Sequence, residues 1–421
     1  MHIGTRLKEL RNLKGLTQVV VSQGITSAPH YSNIEGGRFV TSQDILVLLA
    51  KRLSVPIGYL THGHATDKKI TELLNQYEDI LNEDQLEEAT SFRETHEKSF
   101  RFIYSLHQEL YFRLLRSVEL FKRKDFESFK QYYIDKIMPR IGQDTLFNSN
   151  TVIREKYSNI SGLYHYMNAN YQECIPLFKS VLKMNEDPSL HARLNFNIAL
   201  AHFRLLHYND ALEFANRAKD YYLNLHNWKC TADCYNLIGT LYKIKKDYIN
   251  AEIYTSKGLH ILADTDKLRS GKLLHNLALI LKEQGQLDDA LETITACLTL
   301  KEIHDPNHLF ISYRGKLVIL LEFKNERLLE NNIEFARSTC TNELDKIHLQ
   351  VIEGKLYLLQ NDYSRYEKYI QQSIDYFFKY EQWDDLKDLA EELAEYYAER
   401  KQYKKAYELN KKCMTALKNI L

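Results

Sequence analysis

The chain has 421 residues, no net charge, and only 6 prolines and 15 glycines, so little interrupts its helices. That length is too great for one ordinary core and favours a small domain followed by an extended helical body. The apolar residues form short clusters at helical spacing instead of the run of about 20 that a bilayer crossing needs, and the start lacks the apolar core of a secretion signal. We expect a cytoplasmic protein with no membrane partner.

Basic charge is concentrated near the N-terminus. Residues 1–65 carry seven Lys and Arg side chains against three acidic ones, so the rest of the chain is slightly acidic. This asymmetry favours contact with a polyanion at one end of the chain only.

The sequence offers no pattern for metal or covalent chemistry. The six cysteines are far apart except for Cys230 and Cys234, whose C-x3-C spacing fits neither a zinc site nor a disulfide framework. His62 and His64 have no ligand cluster beside them, and there is no phosphate-binding glycine loop or nucleophile elbow. We predict buried thiols, no metal, no cofactor, no catalytic residues and therefore no enzyme.

The first 60 residues predict five short helices. The first covers residues 3–14 and ends at Gly15, and its apolar stripe is formed by Ile3, Leu7, Leu10 and Leu13. Thr17 caps a second helix over residues 18–24, and Ser27 caps a third whose first turn accepts Pro29.

The third of these helices is expected to end at Gly36 and Gly37. Thr41 then opens a fourth, and Pro56 starts a short fifth. The side chains of the fourth helix predicted to face the core are Ile45, Leu48, Leu49 and Leu53.

The strings G-L-T-Q, I-E-G-G-R and D-I-L-V-L-L-A-K-R-L-S-V-P in this segment resemble the helix-turn-helix domain of the Xre/Cro family. In that family the second helix of the pair enters the major groove of double-stranded DNA. The resemblance implies an Arg11–Glu35 ion pair with a structural role. The DNA-binding residues it implies are Ala28, Pro29, His30 and Asn33 towards the bases, and Thr17 and Gln18 towards phosphate.

Base reading by this domain is expected to be weak. Ala28 and Pro29 offer no side-chain hydrogen bonds, so much of the affinity should come from phosphate contacts by Arg38, Lys14 and Lys51 and depend strongly on salt. The alternatives are a generic small helical bundle and a protein-binding helix-turn-helix.

A pattern of small and aromatic residues recurs along the rest of the chain. A small residue is followed nine positions later by Tyr or Leu. An Ala-like residue comes three positions after that Tyr or Leu, and another small residue comes seven positions after the Ala-like one. The clearest copies begin at Gly162, Ala199, Gly239, Ala278 and Ala394, weaker ones begin at Ser117 and Gly354, and a poorly formed one covers residues 310–337. The spacing resembles tetratricopeptide repeats, which implies an all-α right-handed superhelix, and it places Cys174, Cys297 and Cys413 in packing positions.

In such arrays the first helix of each pair lines a concave wall on which peptides lie. An Asn amide there can pair with both a backbone C=O and an N–H, and cations can take a carboxylate. The peptide-binding residues that we predict are Asn159, Arg193, Asn197, Asn236, Lys243, Lys272, His275 and Asn276. For a single Asn, a solvated face or an inter-helix hydrogen bond is the competing interpretation.

The order of these two parts resembles the peptide quorum-sensing regulators of Gram-positive bacteria, the group that contains Rap, Rgg, NprR, PlcR and PrgX, and NprR-like members most of all. The resemblance implies a transcriptional regulator that binds a short signal peptide and forms a homodimer or a higher homo-oligomer. It divides the chain into a DNA-binding domain at 1–60, a linker at 61–69 and a sensor domain at 70–421.

An alternative function is open at this point. The helical segment 70–140 could hold a sporulation phosphorelay response regulator, by sequestration or, through one of Gln76, Gln85, Gln108 and Gln131, by dephosphorylation. None of these glutamines stands in a recognisable motif.

Overall fold

A computed structural model describes residues 2–141, 150–262 and 265–420, and these residues form helices without any strand. They divide into two compact units, Met1–His207 and Tyr208–Leu421. The predicted all-α class is confirmed. No described helix is long and apolar enough to cross a membrane.

The first unit begins with the five predicted helices. They are α1 (Ile3–Leu13), α2 (Gln18–Ser22), α3 (Ala28–Glu35), α4 (Gln43–Arg52) and α5 (Ile57–Thr61). The unit continues with α6 (Lys68–Asn82), α7 (Leu86–Thr95), α8 (Glu97–Arg101), α9 (Leu106–Lys122), α10 (Phe126–Tyr132), α11 (Thr151–Met167), α12 (Tyr171–Leu182) and α13 (Pro188–Arg204). A π-helical turn, Tyr133–Ile137, and a 3-10 turn, Met138–Arg140, extend α10.

The second unit consists of helix pairs that follow α14 (Tyr208–Asn224). They are α15 (Trp228–Ile244) with α16 (Tyr248–Leu262), α17 (Lys267–Glu283) with α18 (Leu287–His304), α19 (Leu309–Glu322) with α20 (Glu326–Ser338), α21 (Glu343–Leu359) with α22 (Tyr363–Lys379), and α23 (Trp383–Glu399) with α24 (Tyr403–Ile420).

Local sequence signals set the ends of the N-terminal helices. Thr17 Oγ1 accepts from Val20 N at 3.3 Å, and Ser27 Oγ accepts from His30 N at 3.3 Å, as predicted for the two caps. Gly37, just beyond α3, has φ +70°, a conformation that glycine adopts at low cost.

Three details of the N-terminal prediction are wrong. The cap position of α4 is Ser42 instead of Thr41. Leu13 and Leu48, both predicted to face the core, are 73% and 45% exposed. Leu46 and Ala50 join Leu49 and Leu53 in the core, so the buried stripe of α4 lies about one residue further along the helix than predicted.

The predicted repeats coincide with the helix pairs. The Tyr or Leu of the pattern is the first residue of the second helix in each clear copy, at Tyr171, Tyr208, Tyr248, Leu287 and Tyr403. The residue two positions before it always has a positive φ. These residues are Ala169, Leu206, Lys246, Gly285 and Lys401. The two helices of each of these pairs are therefore joined by a tight turn of the same conformation.

Small residues let the paired helices approach each other closely. A Cβ atom added to Gly162 in α11 would lie 2.4 Å from Cε1 of Phe178 in α12. Cys174, Cys297 and Cys413 are buried at packing positions of the repeats, as predicted. Packing therefore accounts for these thiols.

The segment predicted as a linker is fixed to α9 by hydrogen bonds. Leu106 N donates to Gly63 O at 2.8 Å. The Gln108 amide bonds both Asp67 N, at 3.1 Å, and Asp67 O, at 2.7 Å. The N-terminal helices are therefore held against the helices that follow them in the first unit.

Candidate DNA-binding and peptide-binding sites

The face of α3 that the domain leaves open carries the predicted base-reading residues. Pro29 and Asn33 are exposed, while Ala28 and His30 are half-buried. The His30 ring packs against Phe39 with 4.4 Å between ring centroids, which limits its rotation. Sequence reasoning missed Ser32, which is also exposed and follows Ala28 by one helical turn.

An ion pair behind α3 orients that helix. Arg11 donates to both carboxylate oxygens of Glu35, at 2.6 and 3.1 Å, as predicted for this pair. The Gln18 side-chain amide adds a third bond to the Glu35 carboxylate, at 2.7 Å. Gln18, predicted to face phosphate together with the exposed Thr17, thus also links α2 to α3.

The basic residues of the N-terminal segment have different roles. The side chains of Lys14, Arg38 and Lys51 are exposed and have no hydrogen bond or ion pair to any described residue, so their charges are available to a polyanion. Arg52 instead donates to the carbonyls of Val20 and Gln23 at 2.7 and 2.9 Å.

Arg6 is buried between the N-terminal helices and the rest of the first unit. Its Nε donates to Glu109 Oε2 at 2.7 Å, and its other nitrogens donate to the backbone carbonyls of Tyr59, Ile103 and Tyr104. The same carboxylate accepts from Arg113 at 2.6 Å. Arg6 therefore makes no contribution to a DNA surface.

Glu9 reinforces this attachment one helical turn further along α1. It pairs with Lys136 at 2.5 Å, with Arg113 at 3.3 Å, and with Arg140. Glu9 and Arg6 both lie on α1, and α1 also holds α3 through Arg11. The orientation of α3 is therefore fixed relative to α9 and to the turns after α10.

The first unit contains a cavity of about 400 Å³ lined by α9, α11 and α13, among other segments. Its lining includes all three peptide-binding residues predicted for this unit, Asn159, Arg193 and Asn197. None of them has a hydrogen bond or ion pair among the described residues. By contrast, Lys122 of the same cavity is paired with Asp84 at 2.6 Å. The cavity therefore offers two free amides and a free guanidinium.

In the second unit the predicted asparagines meet each other. Asn276 Nδ2 on α17 donates to Asn236 Oδ1 on α15 at 2.7 Å. This bond leaves the Asn236 N–H2 group and the Asn276 oxygen available to a further partner. One peptide unit needs a donor and an acceptor of this kind for its own C=O and N–H.

Three further residues of the predicted set lie near this pair. Lys272 and His275 are on α17 with Asn276, and Lys243 is near the end of α15. Lys272 is exposed, whereas burial is the main reason that the pKa of Lys243 is below its ordinary value. Burial, followed by the charges of Lys301, Lys243 and Arg314, lowers the pKa of His275 to about 3, so this ring is neutral at pH 7.

Sequence reasoning missed Lys301 and Arg314. Lys301 belongs to α18, the second helix of its pair, where a lysine is expected to face solvent, and it is only 5% exposed. Arg314 lies on α19, in the copy whose pattern was poorly formed.

The comparisons with known proteins agree with this architecture. Residues 7–60 match the helix-turn-helix family model. The transcriptional activator NprA of Geobacillus stearothermophilus is 25% identical over 95% of this chain and 100% of its own length.

Solved structures show the same fold. The apo form of the quorum sensor NprR from B. thuringiensis has a TM-score of 0.70 and 15% identity, and the match covers 83% of this chain and 99% of that one. Apo RapI has a TM-score of 0.67 and 16% identity over 84% of this chain and 98% of its own. NprR bound to its cognate peptide NprX has a TM-score of 0.56 and 14% identity over 84% and 100%.

These comparisons confirm the predicted helix-turn-helix domain and the predicted similarity of the chain to the peptide quorum-sensing group. The predicted likeness to NprR-type members is confirmed as well, since both NprA and NprR match over essentially their whole lengths.

Proposed function

We propose that this chain is a cytoplasmic, peptide-responsive transcriptional regulator that acts by binding and has no active site of its own. It binds double-stranded DNA through α3, with Ala28, Pro29, His30 and Asn33 towards the bases. Lys14, Arg38, Lys51 and the N-terminus of α2 at Thr17 and Gln18 face phosphate.

The observation that carries the proposal is the set of unpaired polar groups on the first helices of the repeats. Asn159, Arg193 and Asn197 line one cavity without partners among the described residues, and Asn236 and Asn276 present a free donor and a free acceptor side by side. A short extended peptide can satisfy the groups of either set through its backbone. Its signal reaches DNA as a change in the spacing of two helix-turn-helix domains in a homodimer or a higher homo-oligomer.

A footprinting experiment tests the coupling. Genomic fragments bound by the chain are footprinted with and without synthetic peptides made from small secreted precursors of the same genome. We expect the footprint to change with one peptide. Asn236→Ala with Asn276→Ala should abolish that response and leave the peptide-free footprint intact. Identical footprints with every peptide would contradict the proposal.

The second candidate function is capture of a response regulator by residues 70–140. It is supported by a neighbour with a TM-score of 0.56 and 18% identity, the aspartyl phosphate phosphatase F of Bacillus subtilis. Gln76, Gln85 and Gln131 are exposed, whereas Gln108 is 7% exposed and bonded to Asp67, which makes it a structural residue. A pull-down of phosphorelay proteins with and without peptide tests this function.

A further inference from the structure

Four basic side chains from three consecutive helix pairs cluster in the second unit. They are Lys243 of α15, His275 of α17, Lys301 of α18 and Arg314 of α19, and the charges of the other three oppose protonation of His275. Cations that lie close enough to act on one ring also repel one another, which raises the free energy of the empty protein. A cluster of this kind therefore needs a reason other than stability.

Lys301 gives the clearest evidence for a ligand. It is 95% buried, yet its ammonium has no ion pair or hydrogen bond among the residues that the structure describes. A cation in so buried a position is stabilised when an anion pairs with it. The described residues supply no such anion, so the ammonium is available to a ligand.

The backbone around Lys301 is shaped to hold it. Its side chain crosses Gly271 of α17, where an added Cβ would lie 3.3 Å from Lys301 Cγ and 3.7 Å from Cε. At Gly315 of α19 an added Cβ would lie 3.1 Å from His275 Cε1. Two glycines therefore make room for the lysine and for the imidazole.

The neighbouring carboxylates already have other partners. Asp233 pairs with Arg269 at 3.0 Å, and Asp266 pairs with the same guanidinium at 2.7 Å. Glu283, which acts on Lys243, pairs with Lys282 at 2.9 Å. No described carboxylate forms an ion pair with any of the four basic side chains of the cluster.

We propose that Lys243, His275, Lys301 and Arg314 form a binding site for a carboxylate of the signal peptide. The inference rests on the proposed function and adds the chemical feature that the peptide must carry. Lys301 lies at the buried base of the site, Arg314 supplies a second charged donor, and the neutral imidazole of His275 supplies an N–H. The adjacent Asn236–Asn276 pair holds the backbone next to that carboxylate.

The test is affinity selection on the full chain with a synthetic heptapeptide library randomised at every position. The library is used as free acids and as C-terminal amides, and retained peptides are sequenced by mass spectrometry. If the C-terminal carboxylate is bound, amidation lowers retention about tenfold to a hundredfold. If a side chain is bound, both libraries yield peptides enriched in Asp or Glu at one position.

Variants connect the selection to the site. Lys301→Met and Arg314→Gln should each abolish the carboxylate preference, whereas Lys282→Gln, whose cation is already paired with Glu283, should keep it. Lys301→Met should also raise the Tm of the peptide-free protein by about 2–4 °C, because it removes an uncompensated buried charge.

The outcomes separate the two claims. This inference would be overturned if the chain retained peptides without any carboxylate preference. It would also be overturned if the preference survived Lys301→Met and Arg314→Gln. Either result would leave the proposed function standing. Retention of no peptide by the folded wild-type chain would overturn both.

Discussion

Arg6 of α1 and Glu109 of α9 are joined by a 2.7 Å ion pair although 103 residues separate them, and their side chains are only 1% and 6% exposed. Arg113 and Arg140 share the same carboxylate, so one buried anion holds three cations from two parts of the first unit. Glu109 is thus the more buried of the two carboxylates that hold α1 against α9, the other being that of Glu9.

Replacing Glu109 with Gln should destabilise the first unit by about 3–5 kcal/mol, because Arg6 loses its counter-charge in a buried environment. Urea unfolding followed by circular dichroism measures the effect. Glu213→Gln is the matched control, since Glu213 pairs with Arg217 where both side chains are more than half exposed. The control should shift the free energy of unfolding by less than about 0.5 kcal/mol. Equal shifts for the two variants would contradict the assigned role of Glu109.

The contribution of Glu109 should depend on pH. Burial alone would raise the pKa of this carboxyl, but the charges of Arg113, Arg6 and Arg140 outweigh burial and lower it from 4.5 to about 2. A carboxyl whose pKa is lower in the folded than in the unfolded state stabilises the folded protein. This effect is fully present when the pH is above the unfolded pKa, and it is lost as the pH falls towards the folded pKa. The difference in free energy of unfolding between wild type and Glu109→Gln should be constant from pH 7 to 5 and shrink between pH 4.5 and 2. A difference that stays unchanged at pH 3 would contradict this prediction.

Two substitutions on the proposed DNA-binding face should act differently. Arg38→Gln removes a proposed phosphate contact, so it should weaken binding to all sequences and reduce the slope of log K against log salt by about one. Asn33→Ala removes a proposed base contact and should relax specificity at one base pair by about 1–3 kcal/mol. Mobility shifts on selected genomic fragments at several salt concentrations measure both. Lys404→Gln, an exposed cation of the second unit, should change neither quantity.

Gly162→Ala should destabilise the protein by about 1–3 kcal/mol, because the new methyl group meets the Phe178 ring at 2.4 Å. The matched control is Gly36→Ala. There the nearest atom would lie 3.4 Å away and φ is an ordinary −76°, so the free energy of unfolding should change by less than about 0.5 kcal/mol. Thermal unfolding of both variants measures these changes. If Gly162→Ala left the free energy of unfolding unchanged, α11 and α12 would be less tightly packed than described.

Features encoded by short-range signals could be predicted from the sequence. The caps at Thr17 and Ser27 depend on residues within one turn of the helix, and the starts of the second helices at Tyr171 and Tyr248 follow from a periodic pattern. Leu48 was assigned wrongly because an almost uninterrupted apolar run in α4 fits more than one stripe.

Features that depend on distant partners could not be predicted. Arg6 looked like one more basic residue of a DNA-binding surface, and only the fold brings Glu109 to it. Lys301 gave no local signal either, since a lysine on a second helix is usually solvated. The Asn159, Arg193 and Asn197 set came from repeat positions alone, and the structure adds that all three line one cavity.

The recurring turn between paired helices has a practical consequence. Its left-handed position is filled by Gly285 in one pair but by Ala169, Lys246 and Lys401 in others, where a side chain makes that conformation less favourable. Glycine could be introduced at each of these turns separately, and the gains should add as long as two turns share no contacting residue. Glycine at these turns should therefore stabilise the helix pairs stepwise without altering any of the predicted peptide-binding residues.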